Sequence, residues 1–355
     1  MTARSVSRDR RPTSPLRLGL GLALALVALM ILGVSVGAVA MSPSRVLTLL
    51  LEPFGASGAG LTDADRAIFW SVRLPRVVMG ALVGCALGSA GAAVQGLFRN
   101  PLADPGLVGV SSGASLGAAL TIVIGGGVLS SLPSWVRPAV LPIAAFAGGA
   151  LVTALVLRLG TPRGRAAGLT VLLAGVAVNA LVGAVVGLLS HVASDRELRD
   201  LTFWTLGGLS GASWRKIAFV APWIVAVLVL MPRLGRRLDL LALGEREAGY
   251  LGVRVERLRL AVVAAIAISV GAAFAAAGLV GFVGLVVPHL VRLLVGPRHA
   301  ALIPLSALFG GALLVAADVI ARTVIAPAEL PVGLLTAAFG APFFLFLLRR
   351  EVRVP

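Results

Sequence analysis

The chain has 355 residues, of which 58% are hydrophobic and only 13% are charged. A soluble domain carries about 25% charged residues, so this composition indicates a polytopic membrane protein. The net charge of +16 would suit nucleic acid, but the basic residues are scattered through short loops without interleaved aromatics, so no nucleic-acid partner is predicted. The single cysteine, Cys85, excludes an intramolecular disulfide. The three histidines lie far apart without metal-ligand spacing, and no metal site is predicted.

Long apolar runs follow one another along the chain, and most are close to the ~20 residues that one membrane crossing needs. They predict an all-α polytopic membrane protein with about ten transmembrane helices. We assign residues 1–17 to a cytoplasmic N-terminal tail, 18–350 to a single transmembrane domain and 351–355 to a C-terminal tail, and we expect 41–72 to form a polar excursion outside. The apolar runs are 18–40, 77–98, 106–126, 139–157, 168–190, 214–232, 260–280, 283–295, 300–321 and 332–348.

The distribution of basic residues predicts the orientation. If both tails and four loops lie in the cytoplasm, the 31 basic residues are divided between the cytoplasmic and outer sides in a ratio of roughly two to one. This is the bias that the positive-inside rule requires. Both termini are therefore expected in the cytoplasm, and the protein in the cytoplasmic membrane. The first run ends in Ala38-Val39-Ala40, which resembles a signal-peptidase site, but the run exceeds the ~7–15 residues of a signal core, so a retained span is expected over a cleaved one. The four loops are 99–105, 158–167, 233–259 and 296–299.

Glycines recur every fourth position inside several runs. This spacing places them on one helix face, where helix backbones can approach closely in the absence of a hydrophobic drive between helices. The pattern predicts a tightly packed bundle and says nothing by itself about transport. The glycine ridges are Gly80, Gly84 and Gly88, then Gly109, Gly113 and Gly117, and finally Gly183 and Gly187.

Ionisable residues are almost absent from the runs, with Asp318 and Arg292 near span ends as the main exceptions. Ion-coupled transporters need buried carboxylates or histidines, and ion channels need polar rings, so a secondary transporter is kept only as a remote alternative. The only lysine, Lys216, lies outside any P-loop pattern, so this chain has no predicted ATP site. Residues 109–113 (GVSSG) match the hydrolase pattern G-x-S-x-G, but that elbow needs a strand-to-helix turn, which a membrane run does not offer.

Residues 239–259 (DLLALGEREAGYLGVRVERLR) are the most charged continuous segment, and they must stand in water because charges in a bilayer core are costly. Without an ATP site in the chain, this segment is the expected contact for a soluble ATPase. A short helix is predicted to begin near Glu245 after Gly244 and to stop at Gly252, with Ala248 and Leu251 on one face. An interfacial helix without a partner is the alternative.

Several motifs, in the right order along most of the chain, resemble the FecCD family of ABC-importer permeases. They are RLPR at 73–76, QGLFRNPLADP at 95–105, LGEREA at 243–248 with LGV at 251–253, GFVGLVVPH at 281–289, AADVIAR at 316–322, ELPVG at 329–333 and LLTAAFGAP at 334–342.

The resemblance implies a type II ABC importer permease fold that pairs with a second permease subunit, identical or paralogous, within the membrane lipid. It also implies two cytoplasmic ATPase subunits and an extracytoplasmic substrate-binding protein as partners. ATP and Mg would be bound by the ATPase, so no cofactor is expected in this chain, which is not itself an enzyme. The implied cargo is an iron–siderophore complex, with cobalamin or haem as alternatives.

Site residues carried over from the family fall at both ends of the bundle and in its middle. His289 is expected to be structural. Asn179, on the run that lines the path in the family, is a translocation-path candidate, with an interhelical hydrogen bond as the alternative. The resemblance assigns the ATPase-coupling loop to Gly244, Glu245, Ala248, Leu251 and Gly252, and binding-protein docking to outward-facing Arg73, Arg76 and Arg322.

Overall fold

The computed structural model describes residues 14–37, 41–55, 60–160 and 168–351, and within these ranges the chain is helical without strands. The helices in chain order are α1 Pro15–Ser35, α2 Pro43–Leu51, α3 Asp63–Phe98, α4 Val110–Ile124, α5 Gly126–Ser131, α6 Arg137–Gly160, α7 Gly168–Val192, α8 Asp195–Leu206, α9 Trp214–Leu241, α10 Glu245–Tyr250, α11 Val255–Ala277, α12 Val283–Val295, α13 His299–Ala321 and α14 Val332–Glu351.

Ten of the described helices are apolar. Seven of them, α1, α3, α6, α7, α9, α11 and α13, are long and apolar enough to cross a membrane, and α4, α12 and α14 are shorter apolar helices. Each of the predicted apolar runs coincides with one of these helices, so the prediction of an all-α polytopic membrane protein is confirmed.

Two predicted loops are more helical than the sequence suggested. In the polar excursion at 41–72, the Ser42 side chain caps α2, and a reciprocal capping box between Thr62 and Asp65 begins α3 well before the apolar run. In the predicted loop at 233–259, α9 continues to Leu241 because every third or fourth residue along it packs inward, and α11 begins at Val255. The segment between these two helices is therefore only 242–254.

The core lies around α3, whose residues between Met79 and Leu97 are nearly all buried. A side-chain carbon added at Gly84 would collide with the Gly310 carbonyl of α13, and one at Gly88 would collide with the Ser306 carbonyl. These two helices therefore touch backbone to backbone, as the first glycine ridge predicts.

The other two ridges behave differently from each other. Gly113 and Gly117 of α4 lie against the backbone of α6, which confirms these two members of the second ridge, whereas Gly109 precedes the helix with φ +88°. A side-chain carbon added at Gly183 or Gly187 of α7 would meet nothing within 4 Å, so their face is uncovered among the described residues. We call the end of the bundle that carries α10 the lower end, and the opposite end the upper end.

A glycine-to-alanine pair tests the α3–α13 contact. We expect Gly84→Ala to destabilise the fold by roughly 1–3 kcal/mol, because the methyl group forces two backbones apart in a packed core. Gly21→Ala on α1 is the control, since a side-chain carbon there meets nothing within 4 Å. The apparent melting temperature in detergent, read by size-exclusion chromatography after heating, should fall for the first variant alone. Equal melting of both variants would refute the close contact.

Candidate functional site

The lower end carries the short helix that the sequence predicts. Helix α10 is preceded by Gly244 with φ +133° and followed by Gly252 with φ +85°, so both boundaries use backbone conformations that favour glycine. Glu245 lies in its first turn, where a carboxylate complements the positive end of the helix dipole. The predicted start near Glu245 and the stop at Gly252 are confirmed.

Two contacts hold α10 against the bundle. Ala248 is fully buried, and its carbonyl accepts a hydrogen bond from the Val253 backbone N–H over 2.9 Å. Glu245 Oε1 forms an ion pair of 2.9 Å with Arg259 Nη2 of α11. Arg259 is buried, whereas the Glu245 side chain is 41% exposed, so the pair forms at the edge of the bundle. The helix is thus fastened on its inner face.

The outer side of this segment is apolar and uncovered. Tyr250 is 90% exposed and Leu251 is 57% exposed. Leu243, which precedes α10 in the chain, is also exposed. Ala248 and Leu251 do not both pack inward, since Ala248 is fully buried whereas Leu251, which caps the end of the helix, is exposed. We call Leu243, Tyr250 and Leu251 the lower apolar patch. Clustered exposed apolar groups beside charged residues are typical of a protein interaction site.

A second junction lies just before this segment. Asp239, near the end of α9, accepts a hydrogen bond of 2.6 Å from the His299 backbone N–H at the start of α13. The same carboxylate lies 2.9 Å from His299 Nδ1. It thereby caps α13, whose first N–H groups have no partner within the helix. The sequence offered no signal for this contact, because the two residues are separated by 60 positions and neither belongs to a spaced motif.

The upper end holds a buried charged cluster, which we call the arginine cluster: Arg73, Arg76, Arg322, Asp318 and Glu329. Arg76 donates to both oxygens of Asp318 at 2.9 to 3.1 Å and to Glu329 at 2.8 Å. Arg322 and Arg73 instead donate to backbone carbonyls at the end of α1, Arg322 to Gly33 and Arg73 to Val34 and Ser35. The cluster therefore joins α1, α3 and α13.

The expectation that the three arginines face outward is not met, since their exposed fractions are only 5% for Arg73, 7% for Arg76 and 8% for Arg322. The physical reason lies in their partners. The last carbonyls of α1 have no hydrogen-bond donors within their own helix, and a buried Asp318 needs a neutralising cation. A role of these arginines in docking a binding protein stays a prediction.

The middle of the bundle contains a segment that turns back inward after α3. Arg99 takes the left-handed conformation with φ +50°, and the chain then reaches a short turn, Pro105–Val108. Pro105 lies beside Gly284 at the start of α12, next to Leu87 halfway along α3. The segment 99–109 is therefore re-entrant.

Asn179 of α7 binds this re-entrant segment. Its Oδ1 accepts a hydrogen bond of 2.6 Å from Ser112 Oγ, and its Nδ2 donates to the Gly106 carbonyl over 3.2 Å. Of the two roles that the sequence left open, the interhelical hydrogen bond is therefore observed. A contribution of Asn179 to the translocation path stays a prediction.

Asp104 is a residue that the sequence reasoning missed. Its Oδ1 accepts a hydrogen bond of 2.8 Å from the Gly106 N–H, and it lines a cavity of about 160 Å³ together with Ser111 and Gly281. Burial raises the pKa of the Asp104 carboxyl, and the Gly106 N–H opposes this rise. The sequence Asp-Pro-Gly between two apolar runs is typical of a surface turn, so the sequence did not indicate that Asp104 is buried within the bundle.

The short helix α12 is tied to α3 by a polar chain. Gln95 donates to the Leu285 carbonyl over 3.3 Å and accepts a hydrogen bond of 2.8 Å from Arg292. The His289 ring lies edge-on to Phe343 with centroids 6.3 Å apart, in keeping with the expected structural role. The described residues contain no group of three or more potential metal ligands among His, Cys, Asp and Glu.

Comparisons with known proteins agree with this architecture. The profile described as the FecCD transport family matches residues 25–350. The hemin transport system permease protein HmuU of Yersinia pestis is 45% identical over 81% of this chain and 85% of its own length. The cobalamin import system permease protein BtuC of Halobacterium salinarum is 46% identical over 83% of this chain and 77% of its own.

A solved structure extends the agreement to three dimensions. An inward-facing conformation of a metal-chelate type ABC transporter superposes with a TM-score of 0.81 at 30% sequence identity. The match covers 94% of this chain and 99% of the other.

The two carboxylates of the arginine cluster should differ sharply in their effect on stability. Asp318→Asn leaves Arg76 short of its buried partner and should cost about 3–5 kcal/mol. Glu329→Gln should cost less than about 1 kcal/mol, because the Glu329 side chain is 41% exposed against 2% for Asp318. Melting temperatures of the purified chain in detergent measure the difference, and equal shifts would contradict the assigned burial.

Proposed function

The chain belongs to the FecCD transport family and is an ABC-importer permease, and from this premise we propose that it carries an iron–siderophore complex across the cytoplasmic membrane. The named relatives support haem or cobalamin equally well as cargo. All three cargoes are large metal chelates. The observation that carries the ATP-driven role is the short helix α10 with the lower apolar patch, presented in water between two apolar helices.

We place the lower end in the cytoplasm. The segment 242–254 and the adjoining ends of α9 and α11 hold a dense group of arginines, which the positive-inside rule assigns to that side. Both termini then lie in the cytoplasm as well. This orientation presents the lower apolar patch to soluble ATPase subunits. These subunits supply the energy for transport, because the sequence of this chain contains no P-loop for binding ATP.

In this proposal the ATPase groove receives α10 and moves it as one unit with its neighbours. The Glu245–Arg259 ion pair joins α10 to α11, and the Asp239–His299 contact joins the end of α9 to α13. A displacement at α10 therefore reaches three apolar helices without requiring any of them to bend. Such movement of rigid elements around a site is one of the known routes of conformational switching.

A second permease subunit, identical or paralogous, is proposed to cover part of the exposed side of the bundle. Helix α7 supports this role, since Leu181 is exposed and both Gly183 and Gly187 lack neighbours in the described chain. Small residues on an open helix face allow the backbone of another helix to approach closely. An extracytoplasmic binding protein is proposed at the upper end, above the arginine cluster.

A charge placed in the lower apolar patch should break the contact with the ATPase. We expect Leu251→Arg to weaken co-purification of the ATPase by roughly thirty-fold or more, the loss of about 2 kcal/mol that defines an interface hot spot. Leu47→Arg on α2 is the matched control, because Leu47 is equally exposed, at 57%, and lies at the upper end. Unchanged ATPase binding by Leu251→Arg, with transport intact, would show that the coupling surface lies elsewhere.

The cargo is tested by uptake in cells that lack this chain and in cells that regain it. We expect uptake of radiolabelled ferric siderophore to be lost and restored with the chain, and to persist when the proton gradient is collapsed while ATP is kept high. Loss of haem or cobalamin uptake instead would reassign the cargo but retain the ATP-driven permease. Uptake that stops with the proton gradient alone would favour a secondary transporter and refute the proposal.

A further inference from the structure

A cavity of about 470 Å³ opens at the upper end between the first turns of α6 and α9, beneath α8. Pro138 and Pro142 of α6, the last alanines of α11 and the aromatic residues Phe203 and Trp204 form its apolar walls. Lys216, Arg137 and Asp200 are its charged lining residues. The arginine cluster, the lower apolar patch and the re-entrant segment contribute none of these side chains.

Lys216 is the unexplained member of this cavity. It is the only lysine in the chain, and its ammonium group has no hydrogen-bond or ion-pair partner within the described part of the molecule. Asp200 lines the same cavity without forming an ion pair with it. Arg137, by contrast, is occupied, since it donates to the Leu132 and Ser130 carbonyls at 2.9 Å each. The three ammonium donors of Lys216 are therefore available to an anion that enters the cavity.

Aromatic rings lie directly below this charge. Lys216 and Trp223 are seven residues apart on α9, so they share a helix face. The Trp223 ring packs at 6.1 Å from the ring of Phe146 on α6, and this pair bridges the two helices beneath the cavity. Trp223 is 48% exposed, so the seam between α6 and α9 presents an apolar surface to the bilayer.

The level of the cavity matches the membrane surface. Trp135 and Trp214 are exposed close to the first residues of α6 and α9, and tryptophans are enriched where the headgroups begin. The cavity faces the leaflet opposite the cytoplasmic one, and its basic group at headgroup level above an apolar seam suits the phosphate and the acyl chain of one lipid. The three charged lining residues sum to a single positive charge, which suits a phosphodiester with one negative charge better than a free phosphate with two.

We propose that this cavity is a phospholipid site. The Lys216 ammonium binds the phosphodiester of an anionic phospholipid, and an acyl chain lies along the seam over Trp223 and Phe146. Lysine serves as a point charge for phosphate and can donate up to three hydrogen bonds. The site requires only insertion in a membrane, so it stands whether or not the cargo assignment holds.

Native mass spectrometry of the delipidated full-length chain tests the proposal, with phosphatidylglycerol and phosphatidylcholine titrated separately. We expect Lys216→Met to lower the affinity for phosphatidylglycerol about five-fold, the factor expected for one basic residue near an anionic lipid. Lys216→Arg should retain most of the affinity. Arg215→Met is the matched control, because Arg215 is the exposed basic neighbour on the same turn but does not line the cavity, so the affinity of this variant should stay within about two-fold of the unsubstituted chain.

A second readout follows the acyl chain. Brominated phosphatidylglycerol should quench part of the tryptophan fluorescence, and Trp223→Phe should reduce that part, because Trp204 in the cavity wall is also close enough to a bound lipid to be quenched. Unchanged affinity in Lys216→Met, an equal loss in Arg215→Met, or quenching of the same size before and after Trp223→Phe would overturn the assignment. Protection of Lys216 from amine acylation by soluble glycerol phosphate or haem, but not by lipid, would also overturn it in favour of a soluble anion.

Discussion

The backbone contact between α3 and α13 is the constraint on which the other features depend. Lipid chains are as apolar as leucine, so helices in a bilayer gain little from hiding apolar surface and associate through close packing instead. Gly84 and Gly88 let α3 approach the carbonyls of α13 directly, and no larger residue fits there. This contact fixes the position of α13 along its length, and both charged junctions are attached to its ends.

At the lower end of α13, the His299 N–H is held by Asp239 of α9. At the upper end, Asp318 and Arg322 belong to the arginine cluster, which also holds the end of α1 and the start of the apolar part of α3. One rigid helix therefore connects the segment next to α10 with the surface at the opposite end. A buried ion pair adds little net stability over apolar packing, but it is costly to break and therefore fixes the positions of the helices it joins.

Much of the fold and part of the site follow from the sequence. The apolar runs specify ten helices because each is long enough to form one and is bounded by polar or glycine-rich residues. The stop of α10 follows from Gly252, because the left-handed conformation there favours glycine. The glycine ridges of α3 and α4 predict close contacts correctly, whereas the same spacing on α7 finds no partner within the described chain.

Other features depend on contacts between residues that are far apart in the sequence. Arg76 meets an aspartate 242 positions away, so nothing local distinguishes it from an exposed arginine at the membrane surface. The depth of Asp104 depends on the chain turning back beside Gly284, which a sequence of turn-forming residues does not reveal. The different burial of Ala248 and Leu251 depends on which side of α10 the bundle covers, and their three-residue spacing does not reveal this.

The charged contacts at the two ends of the bundle differ in their access to water. Asp318 is 2% exposed and Glu329 screens only one side of Arg76, whereas Asp239 and Glu245 at the lower end are 29% and 41% exposed. Water reduces the cost of separating the lower pairs and the Arg76–Glu329 pair, whereas the Arg76–Asp318 pair is desolvated. The lower contacts can therefore adjust when a partner engages α10, while the upper contacts keep α1, α3 and α13 together. In the proposed importer, the more exposed contacts lie at the end assigned to the ATPase, and the desolvated Arg76–Asp318 pair lies at the end assigned to the binding protein.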